Sequence, residues 1–387
     1  MDSRGQTKEA LDLPDTLGEF EGGRLFNFGG FKLLDLRGTW HEMGRQYGAL
    51  LSSVLRETHK LCIEDTLIAQ KAMAADRLNA VAGGFFANYP YRLSLVLHGM
   101  SETSGLDLEK HIQLNAMERL VAEQLWNSGT SPSADPAHCS GIAVWGEYSS
   151  GSLIYGRNYD FLNWFRAFAR NLVVTVYHPS DGSLAVATIG YPGCVYLTTG
   201  INERGLFVAL NNGEPSGGAL QYHNRVPAAA ELFLFLLDSA DLDQLESFFQ
   251  STRSNFAYVV GTADDQTSRC FEWPVFDVKR RLSVRRPGLM VATNHFTEPS
   301  WGLPRPDDER FYLTRTRRQN LLNLAEHFKG SIDSSRMKKI LDTRVEDLGA
   351  TTDRTVYQVL AEPGSMSISL KVPDETDWID IPLKDFF

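Results

Sequence analysis

The sequence predicts an α+β fold in which antiparallel sheets are covered by helices. From residue 139 onward, hairpin-like pairs of short apolar strands are interrupted by paired helical segments. No repeat of solenoid or propeller period runs through the 387 residues. With 43% hydrophobic residues, the chain can bury one large core or two moderate ones.

Residues 24–36, RLFNFGGFKLLDL, read as two short strands around Gly29-Gly30. A helix begins in TWHEMGRQYGALLSSVL, where Thr39 and Glu42 have capping-box spacing and Leu50, Leu51, Val54 and Leu55 continue an apolar stripe. Further helical text occupies 108–126, so the first third is expected to be mainly helical. The polar stretch 127–138, NSGTSPSADPAH, reads as an exposed loop. Strand text follows in SGIAVWGEY, GSLIYGRNYDF, NLVVTVYH, SLAVATIGY and GLFVALNN, with GINERG as a turn before the last. Helices are expected in PAAAELFLFLLDSA and DLDQLESFFQ, then strands in NFAYVVGTA, SRCFEWPV and GLMVATNHF. Two helices near 309–328 and 332–342 precede strands near 354–361, 366–372 and 377–382.

Composition excludes several functions. A formal charge of −10 argues against a nucleic-acid partner, which needs a basic face. No window approaches the roughly 20 apolar residues of a membrane span. The polar start MDSRGQTKEALDLPDTL makes a cytoplasmic protein the expectation, with a removed export signal as the alternative. Four cysteines are too sparse for a disulfide scaffold, and no Cys/His cluster has zinc spacing. Cys62, Cys194 and Cys270 read as buried, inert thiols. No phosphate-binding glycine loop occurs, so no cofactor is expected.

Cys139 is different, because it opens a strand directly after an exposed loop. A hairpin turn centred near Ser149 sets Cys139 opposite Tyr159, with Arg157, Asn158 and Asp160 close by. A guanidinium near a thiol favours thiolate, although an ordinary hairpin with a surface Arg–Asp pair reads the same residues. A cut between His138 and Cys139 would free an α-amine, whose pKa of about 8 suits a general base. Thiol and base would then share one residue.

This stretch resembles the cysteine-type N-terminal nucleophile hydrolases, above all the relatives of acyl-coenzyme A:6-aminopenicillanic-acid acyltransferase, with bile-salt hydrolase and penicillin V acylase more distant. The matching pattern is a strand-opening cysteine followed by Gly156-Arg157-Asn158-Tyr159-Asp160-Phe161. GINERGLFVALNN and ATNHF resemble further segments of the family, as do YLTRTRRQNLL, RGTWHEMGRQYGALL and SGLDLEKHIQLNAMERL. The resemblance implies a four-layer αββα sandwich of two antiparallel sheets at 139–387, behind a mainly helical pro-segment at 1–138. It implies that Cys139 is nucleophile and, once freed, its own base, and that Arg157 and Asp160 orient it. The oxyanion-hole asparagine maps onto Asn211 and a second asparagine onto Asn294. The substrate-side arginine is assigned to Arg315, with Arg317 and Arg318 as alternatives. His138 stands where the family often has glycine. Phe161, Trp164, Phe165 and Phe168 follow the site strand and suit either an apolar lip for an acyl group or core packing.

The expected activity is a self-processing amidohydrolase or acyltransferase acting through a Cys139 acyl-enzyme on a small-molecule acyl amide or acyl-CoA. The cut chains would remain an α/β heterodimer, with homo-oligomers left open. Two rivals remain. One is an inactive binding protein on the same scaffold. The other is a papain-like protease pairing Cys139 with His295, although CSGIAVW is strand text rather than a helix start.

Overall fold

The computed structural model describes residues 16–121, 138–218, 221–281, 285–309 and 311–387. Sixteen strands occur among them. In chain order they are β1 (Thr16–Phe20), β2 (Gly23–Phe28), β3 (Phe31–Gly38), β4 (Ser140–Val144), β5 (Ile154–Asp160), β6 (Val173–Pro179), β7 (Val186–Gly190) and β8 (Thr199–Asn202). They continue as β9 (Phe207–Asn212), β10 (Tyr258–Ala263), β11 (Ser268–Trp273), β12 (Lys279–Arg280), β13 (Leu289–Ala292), β14 (Thr355–Glu362), β15 (Ser367–Lys371) and β16 (Ile379–Ile381).

One sheet has the order β1-β2-β3-β6-β7-β8-β9-β10-β11-β12 and the other β13-β4-β5-β14-β15-β16. Every pairing is antiparallel except β3 with β6. Side-chain alternation stacks the sheets face to face. From β9, Phe207 and Ala209 enter the core that also receives Tyr155, Tyr159 and Val359 of the second sheet. Their neighbours Val208 and Leu210 point the other way, into a core shared with helices. Those helices are α1 (Trp40–Leu50), α2 (Ser52–His59), α3 (Ala75–Phe86), α4 (Tyr91–Thr103) and α5 (Leu108–Asn115), joined later by α6 (Ala228–Asp238) and α7 (Leu242–Ser251). The outer face of the second sheet packs Ile142, Val144 and Leu360 on α8 (Thr314–His327) and α9 (Ser334–Asp342). The architecture is therefore the four-layer αββα sandwich.

The hairpin register is the expected one, with Ser140 opposite Asn158 and Gly141 opposite Arg157. The capping box at Thr39 and Glu42 is present. Residues 24–36 form the two strands expected around Gly29-Gly30, β2 and β3; β1 precedes them, and β3 extends the first sheet through its parallel pairing with β6. The backbone of Phe31–Gly38, buried without a break from Leu33 through Asp35 to Leu36, finds its hydrogen-bond partners by joining a sheet. Gly200-Ile201-Asn202, expected in a turn, belongs to β8. Of the loop expected at 127–138, only His138 lies within the described residues, as does only the 108–121 part of the helix expected at 108–126.

Candidate active site

Odd-numbered residues around the nucleophile strand point between the sheets, and even-numbered ones point toward α8. Cys139 and Arg157 consequently face the inter-sheet space, where Arg157 Nη2 lies 3.5 Å from the Cys139 sulfur and donates to the Leu210 carbonyl at 2.6 Å. Arg157 is fully buried, and its Nε and Nη1 have no hydrogen-bond partner. Asn211 approaches from the opposite sheet on the face that carries Phe207 and Ala209. It is buried, and neither amide atom has a hydrogen-bond partner. A buried amide without partners is costly to keep.

Asp160 and Arg317 occupy the other side of the same strand pair. Arg317 Nη1 donates to the His138 carbonyl at 2.7 Å and to the Cys139 carbonyl at 3.3 Å. Nη2 donates to Asn294 Oδ1 at 2.8 Å, and Nε to the Tyr312 carbonyl at 2.9 Å. Asp160 accepts from the Thr355 hydroxyl at 2.7 Å, while its other oxygen sits 3.5 Å from Arg317 Nη1 with no hydrogen bond. Burial pushes the Asp160 carboxyl up to about 6, against the pull of Arg317 and Thr355.

His138 donates its backbone N–H to the Asp160 carbonyl at 3.2 Å, and its ring lies on Tyr312 with centroids 4.0 Å apart. Tyr312 and Leu313 hold left-handed backbone, φ 50° and 55°, at a cost of about 1–2 kcal/mol each. That strain aims the Tyr312 ring at His138 and its carbonyl at Arg317. His138 itself has no positive φ, so this chain does not need glycine's backbone freedom before the nucleophile.

Cys139 lines a cavity of about 490 Å³, within the range of small-molecule sites. Phe85, Glu118 and Arg119 line it from the N-terminal segment, and Phe161, Tyr196, Leu210 and Tyr258 from beyond the nucleophile.

Several site expectations change in detail. Arg317, not Arg315, meets the nucleophile: the turn of α8 buries Arg317, whereas Arg315 is exposed in a separate cleft with His295 and Arg318. Phe161 is on the cavity wall. Trp164 is not, and packs instead on Phe165 and Phe168. Asn294 gives Nδ2 to the Asn212 carbonyl at 3.0 Å and its oxygen to Arg317, so it braces that arginine. The thiol is pushed up rather than down, because burial outweighs the Arg157 cation. His295 accepts or donates at Thr314 and is held neutral, near 3, by burial and by Arg281; among the described residues its ring bonds Thr293 and Thr314 and not Cys139. The other three cysteines are buried, as expected.

Sequence reasoning missed Glu118, Tyr312 and Thr355. Only the fold brings them to Cys139, although the carboxylate of Glu118 is visible in the NAMERL helix text. Among the described residues, no group of side chains has the make-up of a metal site, and no helix is long and apolar enough to cross a membrane.

No protein-family model matches the chain, and no curated protein does. Among solved structures it is similar to a Caenorhabditis elegans N-acylethanolamine-hydrolyzing acid amidase ortholog, at 16% identity and TM-score 0.43, covering 61% of this chain and 94% of that one. It is similar to a single-residue variant of conjugated bile acid hydrolase from Clostridium perfringens, at 14% and 0.45, covering 64% and 93%. It is also similar to penicillin V acylase from Agrobacterium tumefaciens, at 12% and 0.36, covering 63% and 86%. Bile-salt hydrolase and penicillin V acylase are the two kinds of protein named above as the more distant ones in the resemblance of the Cys139 and Gly156–Phe161 stretch.

Proposed function

We propose that the chain is a cysteine-type N-terminal nucleophile amidase that first cuts its own His138–Cys139 bond. It would then transfer the acyl group of a small-molecule amide, or of a thioester, to water or an acceptor amine. One observation carries the reading: two buried guanidinium groups address that single peptide bond, Arg157 at the sulfur and Arg317 at the His138 carbonyl oxygen. Ordinary core packing has no use for this arrangement, since each buried cation is costly unless something answers it.

In the first step the Cys139 sulfur attacks the His138 carbonyl carbon, the C–N bond breaks, and the thiol proton ends on the freed nitrogen. Water then hydrolyses the thioester, leaving a His138 carboxylate and a Cys139 amine. That amine takes the thiol proton, and the sulfur attacks the substrate carbonyl. Charge developing on the substrate oxygen is received by the Asn211 amide and a neighbouring backbone N–H. The leaving amine departs with the proton returned by the α-ammonium. The acyl group then passes to water or to an amine. Asp160, whose second oxygen accepts no hydrogen bond and lies 3.5 Å from Arg317 Nη1, would hold the α-ammonium. The aromatic wall of the cavity suits an apolar acyl chain.

The test has two parts. Mass spectrometry of the purified protein is expected to find two fragments meeting at Cys139, and Cys139→Ala to leave one intact chain with no turnover. A panel of N-acyl amides and acyl-CoAs, with and without acceptor amines, then identifies the acyl group and separates hydrolysis from transfer by product mass. An alanine variant that still hydrolyses acyl amides overturns the reading. An intact wild-type chain that no thiol reagent affects supports an inactive scaffold instead.

A further inference from the structure

Glu118 lies on the N-terminal side of the proposed cut, yet it reaches the nucleophile's surroundings. The chain after α5 remains helical over 117–121, and there Glu118 lines the cavity that Cys139 also lines. Its Oε1 accepts from the Tyr159 hydroxyl at 2.6 Å. Tyr159 follows Asn158, the register partner of Ser140 next to Cys139, and is fixed by stacking on Tyr357, with centroids 4.5 Å apart and planes 11° apart. Above the Tyr159 ring, at 5.7 Å, is the Arg157 guanidinium that contacts the sulfur. A continuous path therefore runs from Glu118 through Tyr159 and Arg157 to Cys139.

We propose that Glu118 is a positioning residue of the acyl-transfer site, supplied across the cut by the N-terminal segment: its carboxylate is the counter-charge of Arg157 and anchors Tyr159 against it. This rests on the reading of Cys139 as nucleophile. Two buried cations serve the site, and each has a carboxyl on its side: the buried Asp160 for Arg317, and for Arg157 the half-buried Glu118 on the cavity wall. A buried guanidinium bonded only to a backbone carbonyl and a sulfur needs such a partner. Burial raises Glu118 itself, while the Tyr159 and Tyr196 hydroxyls and Arg157 pull it back toward the anion. The charged groups facing the thiol are Arg157, Asp160, Glu118 and Arg317, with Tyr155, Tyr159 and Tyr191 around it. Of these, Glu118 alone comes from the segment before the cut.

The test is Glu118→Gln, which keeps an acceptor for Tyr159 and removes only the charge. The probe is iodoacetamide, with alkylation of the Cys139 peptide followed by mass against pH, so the readout needs no substrate. Loss of the negative charge is expected to move alkylation to lower pH and raise its rate at pH 7 about threefold or more. With any amide that the substrate panel finds, kcat is expected to fall about tenfold while KM stays within about threefold. Glu118→Asp is expected to restore most of that loss. Should Glu118→Gln fail to fold, Tyr159→Phe, which keeps the carboxylate and cuts only its tether, is expected to lower kcat similarly without the shift in alkylation. A wild-type alkylation profile in Glu118→Gln overturns the proposal. So does a raised KM with unchanged kcat, which would make Glu118 a substrate contact. If Cys139→Ala retains turnover, the nucleophile reading fails instead, and the two failures are distinguishable.

Discussion

Arg317 donates a hydrogen bond to the His138 carbonyl oxygen at 2.7 Å. This is the carbonyl the Cys139 sulfur would attack, and its negative charge grows in that attack. Asn294 and the Tyr312 carbonyl hold the guanidinium in place, so the donor is set before the charge appears.

Replacing Arg317 with Gln is expected to slow self-cleavage by about 10²-fold or more. Gel analysis over time after synthesis would show the intact 43.3 kDa chain persisting. Arg315→Gln, at the exposed position two residues earlier, is expected to cut like wild type. Equal cleavage in Arg317→Gln and wild type would remove the role assigned to Arg317.

Asn211 offers a different signature, because both of its amide atoms lack partners in the resting fold. Asn211→Leu removes a buried polar group that satisfies nothing, so thermal stability is expected to hold or rise. Turnover is expected to fall about 10²- to 10³-fold, mostly in kcat. A large drop in melting temperature would instead make Asn211 a structural residue.

The hairpin was legible in the sequence because its chemistry is local. Strand period and a Ser-Ser-Gly turn fix the pairing of Ser140 with Asn158, and that pairing alone brings Arg157 to Cys139. The choice of Arg317 over Arg315 was not legible. Both lie in the same basic run, and which face of α8 is buried depends on Asn294 and on the His138 and Cys139 carbonyls just before β4, both distant in sequence. The three N-terminal strands show the same divide. Those around Gly29-Gly30 read as strands, but their membership in the large sheet depends on β6, well over a hundred residues further along. Glu118 and Thr355 reach the site only through tertiary packing, so neither carries a local mark.

In the N-terminal segment, Gly44 and Gly48 of α1 meet α4 at close range. A Cβ added at Gly44 would lie 2.2 Å from the Val96 carbonyl oxygen, and one at Gly99 would lie 2.2 Å from the His41 carbonyl oxygen. Backbone cannot yield as a side chain does, so Gly44→Ala or Gly99→Ala is expected to destabilise by about 1–3 kcal/mol. Gly83→Ala, where a Cβ meets nothing, is the control and is expected to be neutral or slightly stabilising. Chemical denaturation of the three variants checks the ranking.

Asp160 makes the site sensitive to pH in a defined direction. Its carboxyl is raised from an ordinary 3.8 to about 6, chiefly by burial. A group raised in the fold contributes stability that is fully present below the unfolded value and lost as pH climbs through the folded one. In the uncut Cys139→Ala chain, stability is therefore expected to decline between about pH 4 and 6 by an amount on the order of 2–3 kcal/mol, and then to level off. Adding Asp160→Asn, which keeps an acceptor for Thr355, is expected to flatten that decline. Self-cleavage is expected to run the other way, because the ionised carboxylate would receive the new α-ammonium. Cutting by the wild-type chain is expected to slow as pH falls below about 6, and a fully retained rate at pH 4 would exclude ionised Asp160 from the reaction.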